Sequence, residues 1–155
     1  MNLLDILDEQ VVLIDLQASD KQGVIEELAA ALKTSGKISD LDGVLHAVLE
    51  REKIMSTGIG KGVAIPHGKS DAVTELAGVL GVKKEGIDFS ALDEQPVFLF
   101  FLLVSPPDVS APHIRALAHI SRLLRHDSLR KTLINAESVE EVLRLITEEE
   151  QRNIT

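Results

Sequence analysis

One histidine, His67, follows Val63-Ala64-Ile65-Pro66 and precedes Gly68, and three glycines at alternate positions, Gly58, Gly60 and Gly62, lead into it. Pro66 fixes its own φ and disfavours the α region for Ile65, so an extended segment is expected to run up to the histidine. Gly68, without a side chain, would leave room beside the imidazole for an incoming group or a partner surface. Near neutral pH an imidazole keeps one unprotonated nitrogen, which can attack phosphorus if the other nitrogen is held by an acceptor. His67 is therefore read as a nucleophile displayed at the end of a strand.

A phosphoryl group bound there needs positive charge and donors around it. Arg51 supplies a planar fork that pairs with two phosphate oxygens. His113 stands at the start of an expected helix, where free N–H groups and the dipole favour an anion. Thr57 offers a hydroxyl to the phosphate or to the imidazole. Each residue also has a plain reading: a turn histidine, a helix-end cation, a loop hydroxyl and a helix-start surface residue.

Other chemistries fit the letters less well. Walker A spacing places a glycine at position 63, which is Val63, and Gly60-Lys61 is followed by Gly62. The dinucleotide fingerprint after Gly58 and Gly60 also needs a glycine at 63. The five histidines, His46, His67, His113, His119 and His126, include no pair at i, i+4 and no His-x-x-Glu-His. No metal or cofactor is expected, and His46, His119 and His126 read as solvated surface. The sequence has no cysteine, so no thiolate ligand, thiol nucleophile or disulfide.

The formal net charge of −9 disfavours a nucleic-acid surface. Trp and Tyr are absent, so neither a base-stacking platform nor an aromatic sugar site is expected. Val97 to Val104, the longest wholly apolar run, is too short to span a bilayer, and Asp5, Asp8 and Glu9 do not suit a signal peptide. The expectation is a cytoplasmic protein without membrane insertion, with residues 1–155 forming one domain.

The elements that must position His67 follow from periodicity. Met1 to Asp8 reads as a helical turn and Val11 to Leu16 as a strand. A helix capped at Ser19-Asp-Lys-Gln22 buries Val24, Ile25, Leu28, Ala29 and Leu32 and ends at Gly36. A second, capped by Ser39 or Asp40, carries Leu41, Val44, Leu45, Val48 and Leu49 inward and ends near Arg51. Leu76 to Val82 and Val97 to Val104 read as buried strands, joined by a polar connection with a turn at Gly86. Pro112 suits the first turn of a helix turning Ile114, Leu117, Ala118 and Leu124 inward. Short and long helices follow, around Ser128 to Ile134 and from Ser138. The class is α/β, a single domain with a central mixed β-sheet flanked by α-helices on both faces.

Arg51-Glu52 and the run Ser56-Thr57-Gly58-Ile59-Gly60-Lys61-Gly62-Val63-Ala64-Ile65-Pro66-His67-Gly68 resemble the signature of the fructose/mannitol-type enzyme IIA domain. That domain belongs to the bacterial phosphoenolpyruvate-dependent phosphotransferase system. Asp93-Glu-Gln-Pro-Val97 and His113-Ile-x-x-Leu117 extend the resemblance along nearly the whole chain, the nitrogen-regulatory branch being most similar. The resemblance implies that His67 accepts a phosphoryl group through Nε2 from a phosphohistidine carrier, HPr or a nitrogen-type homologue. It also implies that Arg51 and His113 line the site. The recipient would be a regulated target protein or, in a transport role, a IIB domain of a fructose/mannitol permease. A hydrolase or lyase using His67 as acid/base would need a carboxylate partner, Asp71 being the nearest following residue of that type. An unmodified binding module is the remaining reading.

Overall fold

The computed structural model describes residues 1–154, in which six strands and five helices share one apolar core. The strands are β1 (Val12–Leu13), β2 (Gly58–Gly60), β3 (Val63–Ala64), β4 (His67–Lys69), β5 (Ala77–Ile87) and β6 (Val97–Ser105). The helices are α1 (Lys21–Thr34), α2 (Leu41–Ile54), α3 (Ser110–Leu123), α4 (Asp127–Ile134) and α5 (Val139–Ile154).

The sheet runs β1-β5-β6-β3-β2, with β4 also paired to β6. β5 and β6 are antiparallel, whereas β3 and β4 both lie parallel to β6, so the sheet is mixed as expected. β6 is central, and of its nine residues only Phe98 is not buried, which explains a run apolar on both faces. Gly78 and Gly81 of β5 point to opposite faces; a Cβ on Gly81 would strike Leu28 of α1, and one on Gly78 would meet Ile6. Among the described residues, no helix is long and apolar enough to cross a membrane.

Several boundaries differ from the sequence reading. The expected strand at Val11–Leu16 is reduced to Val12–Leu13, a 3₁₀ turn taking Val11 and a bend at Ile14 and Asp15 ending the pairing. β5 runs on to Ile87 rather than ending at Val82; its register shifts before Ile87, where Gly86 adopts φ 73°. α1 and α2 are capped by Asp20 and Asp40, whose carboxylates accept from the N–H groups of Gly23 and Gly43. α3 turns His113, Ala116, Ile120 and Leu123 inward; of the expected stripe, Leu117 packs against the core and Leu124, just past the helix, is buried, whereas Ile114 and Ala118 are exposed. His119 is not simply solvated: its Nε2 lies 2.7 Å from the buried Glu150 carboxylate.

Candidate functional site

The chain reaches His67 in two parallel steps along one edge of β6. β3 aligns Val63 with Leu99 and Ala64 with Phe100; β4 aligns His67 with Leu103 and Lys69 with Ser105. Between them Ile65 and Pro66 leave the ladder, although Leu103 still donates to the Pro66 carbonyl at 3.0 Å. His67 thus opens a strand instead of closing one. Proline interrupts the pairing, and the histidine is offset by that interruption.

Gly68 corrects a second expectation. It is buried, and a Cβ there would lie 3.1 Å from both Ala47 C and Val48 N in the backbone of α2. The glycine makes room for a helix beneath the histidine, so no space is left at that position for an incoming group.

The half-buried His67 ring has Nδ1 2.8 Å from the Ile65 carbonyl oxygen. A carbonyl only accepts, so Nδ1 carries the proton and Nε2 of the neutral ring keeps its lone pair. Burial depresses the His67 pKa; the Ile65 carbonyl opposes this, Arg51 adds to the depression and the Glu52 carboxylate opposes it, the net direction being downward. The ring is therefore neutral at pH 7.

His113 lies in the first turn of α3, buried, with its ring centroid 5.5 Å from that of His67. Pro112 stands in the same first turn, as expected. His113 Nδ1 shares a 2.6 Å hydrogen bond with Ser105 Oγ. Burial, then His67, then Lys69 push its pKa down to about 4. The helix-start argument is revised in part, because the His113 N–H is already bonded to Val109 O at 3.2 Å.

Arg51 stands in the last turn of α2, half-buried, and Nη1 donates to Met55 O at 2.8 Å. Its charge reaches His67. Thr57 is buried, and its hydroxyl donates to Glu52 Oε1, so that proton serves neither phosphate nor imidazole.

Sequence reading passed over three contributors. Glu52, rather than the exposed Asp71, is the carboxylate whose charge reaches His67. It continues the buried spacing Val44, Val48, Glu52 at i, i+4, i+8, a signal present in the letters. Lys69 donates to Ser110 Oγ at 2.7 Å, and Ser105 anchors His113; neither has a local signature. Ile54, Met55 and Ile114, at 81%, 57% and 64% exposure, flank Arg51 and His113 with apolar surface. Among the described residues no cluster of three or more potential metal ligands occurs.

The geometry therefore offers an unprotonated imidazole nitrogen beside an arginine, a neutral histidine and a lysine. Residues 5–149 match the family described as "Phosphoenolpyruvate-dependent sugar phosphotransferase system, EIIA 2". A fructose-specific EIIABC component from Bacillus subtilis is 33% identical over 97% of this chain, which spans 24% of that protein. A nitrogen regulatory protein from Bradyrhizobium diazoefficiens is 38% identical, with 86% of each chain covered. The crystal structure of nitrogen regulatory protein IIA-Ntr from Neisseria meningitidis superposes with a TM-score of 0.85 at 30% identity, covering 92% of this chain and 97% of that one. With residues 5–149 matched, the chain belongs to the EIIA 2 family of the phosphotransferase system and is a phosphotransferase component of that type.

Proposed function

We propose that residues 1–155 act as one cytoplasmic unit that accepts a phosphoryl group on Nε2 of His67 from a phosphohistidine carrier protein of the HPr type. The observation that carries this is the 2.8 Å contact between His67 Nδ1 and the Ile65 carbonyl, which leaves Nε2 as the nucleophile. The N–P bond of the carrier breaks with its electron pair retained by the carrier's imidazole, and a new Nε2–P bond forms. The proton stays on Nδ1 throughout, donated in a hydrogen bond to the Ile65 carbonyl. Little covalent work falls to the protein, so positioning and charge dominate. Arg51 can turn from Met55 O to two phosphoryl oxygens, and Lys69 adds positive charge nearby. With Ser105 donating to Nδ1, neutral His113 presents Nε2–H to a third oxygen.

The nitrogen-type relatives favour a regulatory phosphoprotein, whose partners read a change of about −2 in charge at His67. The fructose-specific relative favours a second reading, in which the phosphoryl group passes to a IIB domain. Labelled phosphoenolpyruvate, enzyme I and a carrier protein test both. Acid-labile, base-stable label on wild type and none on His67→Ala is expected. Wild type left unlabelled by several competent carriers would overturn the reading. Onward transfer to a fructose-type IIB domain would select transport over regulation.

A further inference from the structure

His67 hangs on a run of hydrogen bonds that begins two helices away. Lys21 Nζ, at the start of α1, donates to Glu52 Oε2 at 2.9 Å. The same oxygen accepts from Thr57 N at 3.0 Å, and Glu52 Oε1 accepts the Thr57 hydroxyl. Thr57 O in turn accepts from Ile65 N at 3.0 Å. The Ile65 carbonyl, at the other end of that residue, accepts a hydrogen bond from His67 Nδ1–H, the nitrogen lying 2.8 Å from the oxygen.

Local helix energetics do not account for this arrangement. Lys21 is a cation at a helix N-terminus and Glu52 an anion in a helix's last turn, each against its own macrodipole. The Glu52 side chain is only 4% exposed, so its carboxylate is desolvated as well. Its bonds to Lys21 and Thr57 offset that cost. Lys21 is steadied further by the Phe89 ring, 4.6 Å from Nζ.

We propose that Glu52 is a positioning residue of the phosphorylation site: with Lys21 and Thr57 it forms a clamp that fixes the Ile65 carbonyl and thereby the tautomer and orientation of His67. Its kinetic consequence rests on His67 being the acceptor; its structural consequence does not. The clamp acts along two routes. Bonds through Thr57 hold the strand segment, and the negative charge of Glu52 supports a proton on the His67 ring.

The test is ¹⁵N NMR of the histidine ring nitrogens in the full chain, with phosphoryl acceptance measured on the same samples. Wild type should give a protonated Nδ1 and a bare Nε2 at His67. Thr57→Ser should keep that signature. Thr57→Val, nearly isosteric, should mix the two tautomers and slow acceptance about tenfold or more. Glu52→Gln, also close in shape, should move the His67 titration midpoint to lower pH. A folded Glu52→Gln and Thr57→Val pair, each with wild-type tautomer and midpoint at His67, would overturn the proposal and leave Glu52 a helix-to-helix tie. If wild type never accepts phosphate, the proposed function fails, while the ring-nitrogen signals still decide the clamp.

Discussion

The rings of His67 and His113 lie 5.5 Å apart, centroid to centroid, and are tilted by 56°. One ring opens β4 and the other sits in the first turn of α3, so the sheet and a helix meet at this pair. A proton on His67 opposes one on His113, which helps hold His113 near pKa 4. Both rings are neutral at pH 7, and the pair can receive a negatively charged group without first losing a proton.

Phosphorylation should reverse that field. A phosphoryl group on His67 adds about −2 charge within reach of His113, so the His113 midpoint should rise by at least about one unit. Titration of the His113 ring protons in the free and phosphorylated states checks this. An unchanged midpoint would mean that His113 does not face the phosphoryl group.

Acid should weaken the fold through the same residue. The pKa of His113 is about 4 when folded against its ordinary 6.5, so the unfolded chain binds the proton first as pH falls. The contribution is complete above pH 6.5 and is lost as the pH drops toward 4, and His67, shifted the same way, adds to it. His113→Gln keeps an acceptor for Ser105 but cannot titrate. It should remove on the order of 2 kcal/mol of the stability difference between pH 7.5 and 4.5, read from urea midpoints. Parallel curves for the two proteins would refute this.

The parts legible in the letters were those set by local rules. α1 and α2 are marked by caps and 3.6-residue spacing, and β6 by a run apolar on both of its faces. His67 stood out because Pro66 and the alternate glycines have local meaning. The rest depended on pairs far apart in sequence. That β4 lies beside β6, or that Ser105 would hold His113, follows from register, and register leaves no mark on either segment alone. The sequence alone offers the Thr57 hydroxyl to phosphate or imidazole, whereas the fold uses it on Glu52. Gly68 suggests open space in the sequence because no residue of β4 marks that α2 crosses there.

Gly68→Ala tests the close packing of β4 on α2. The new Cβ would sit 3.1 Å from backbone atoms of Ala47 and Val48, which have no flexible end to move aside. The expected cost is about 1–3 kcal/mol, a fall in Tm of roughly 2–12 °C for a chain of this size. His67 should shift with β4, so acceptance should fall as well. A variant melting like wild type would show that α2 can yield.

In the proposed function Arg51 is the guanidinium that would hold the phosphoryl oxygens. Its fork now makes one hydrogen bond to the neutral Met55 O, whereas a phosphoryl group offers two charged oxygens that the planar fork pairs with at once. Arg51→Lys keeps the charge but loses the planar pair of donors, and Arg51→Ala loses both. If the fork matters, Lys should restore little: acceptance should fall about 10²-fold in Ala and at least tenfold in Lys. If charge alone matters, Lys should match wild type. Arg51 also helps depress the His67 pKa, so in Arg51→Ala that midpoint should rise, and the neutral fraction at pH 6 should shrink. Measuring acceptance at pH 6 and pH 8 distinguishes the two losses. A deficit confined to pH 6 would come from the protonated nucleophile, and one present at both from missing contacts to the phosphoryl group.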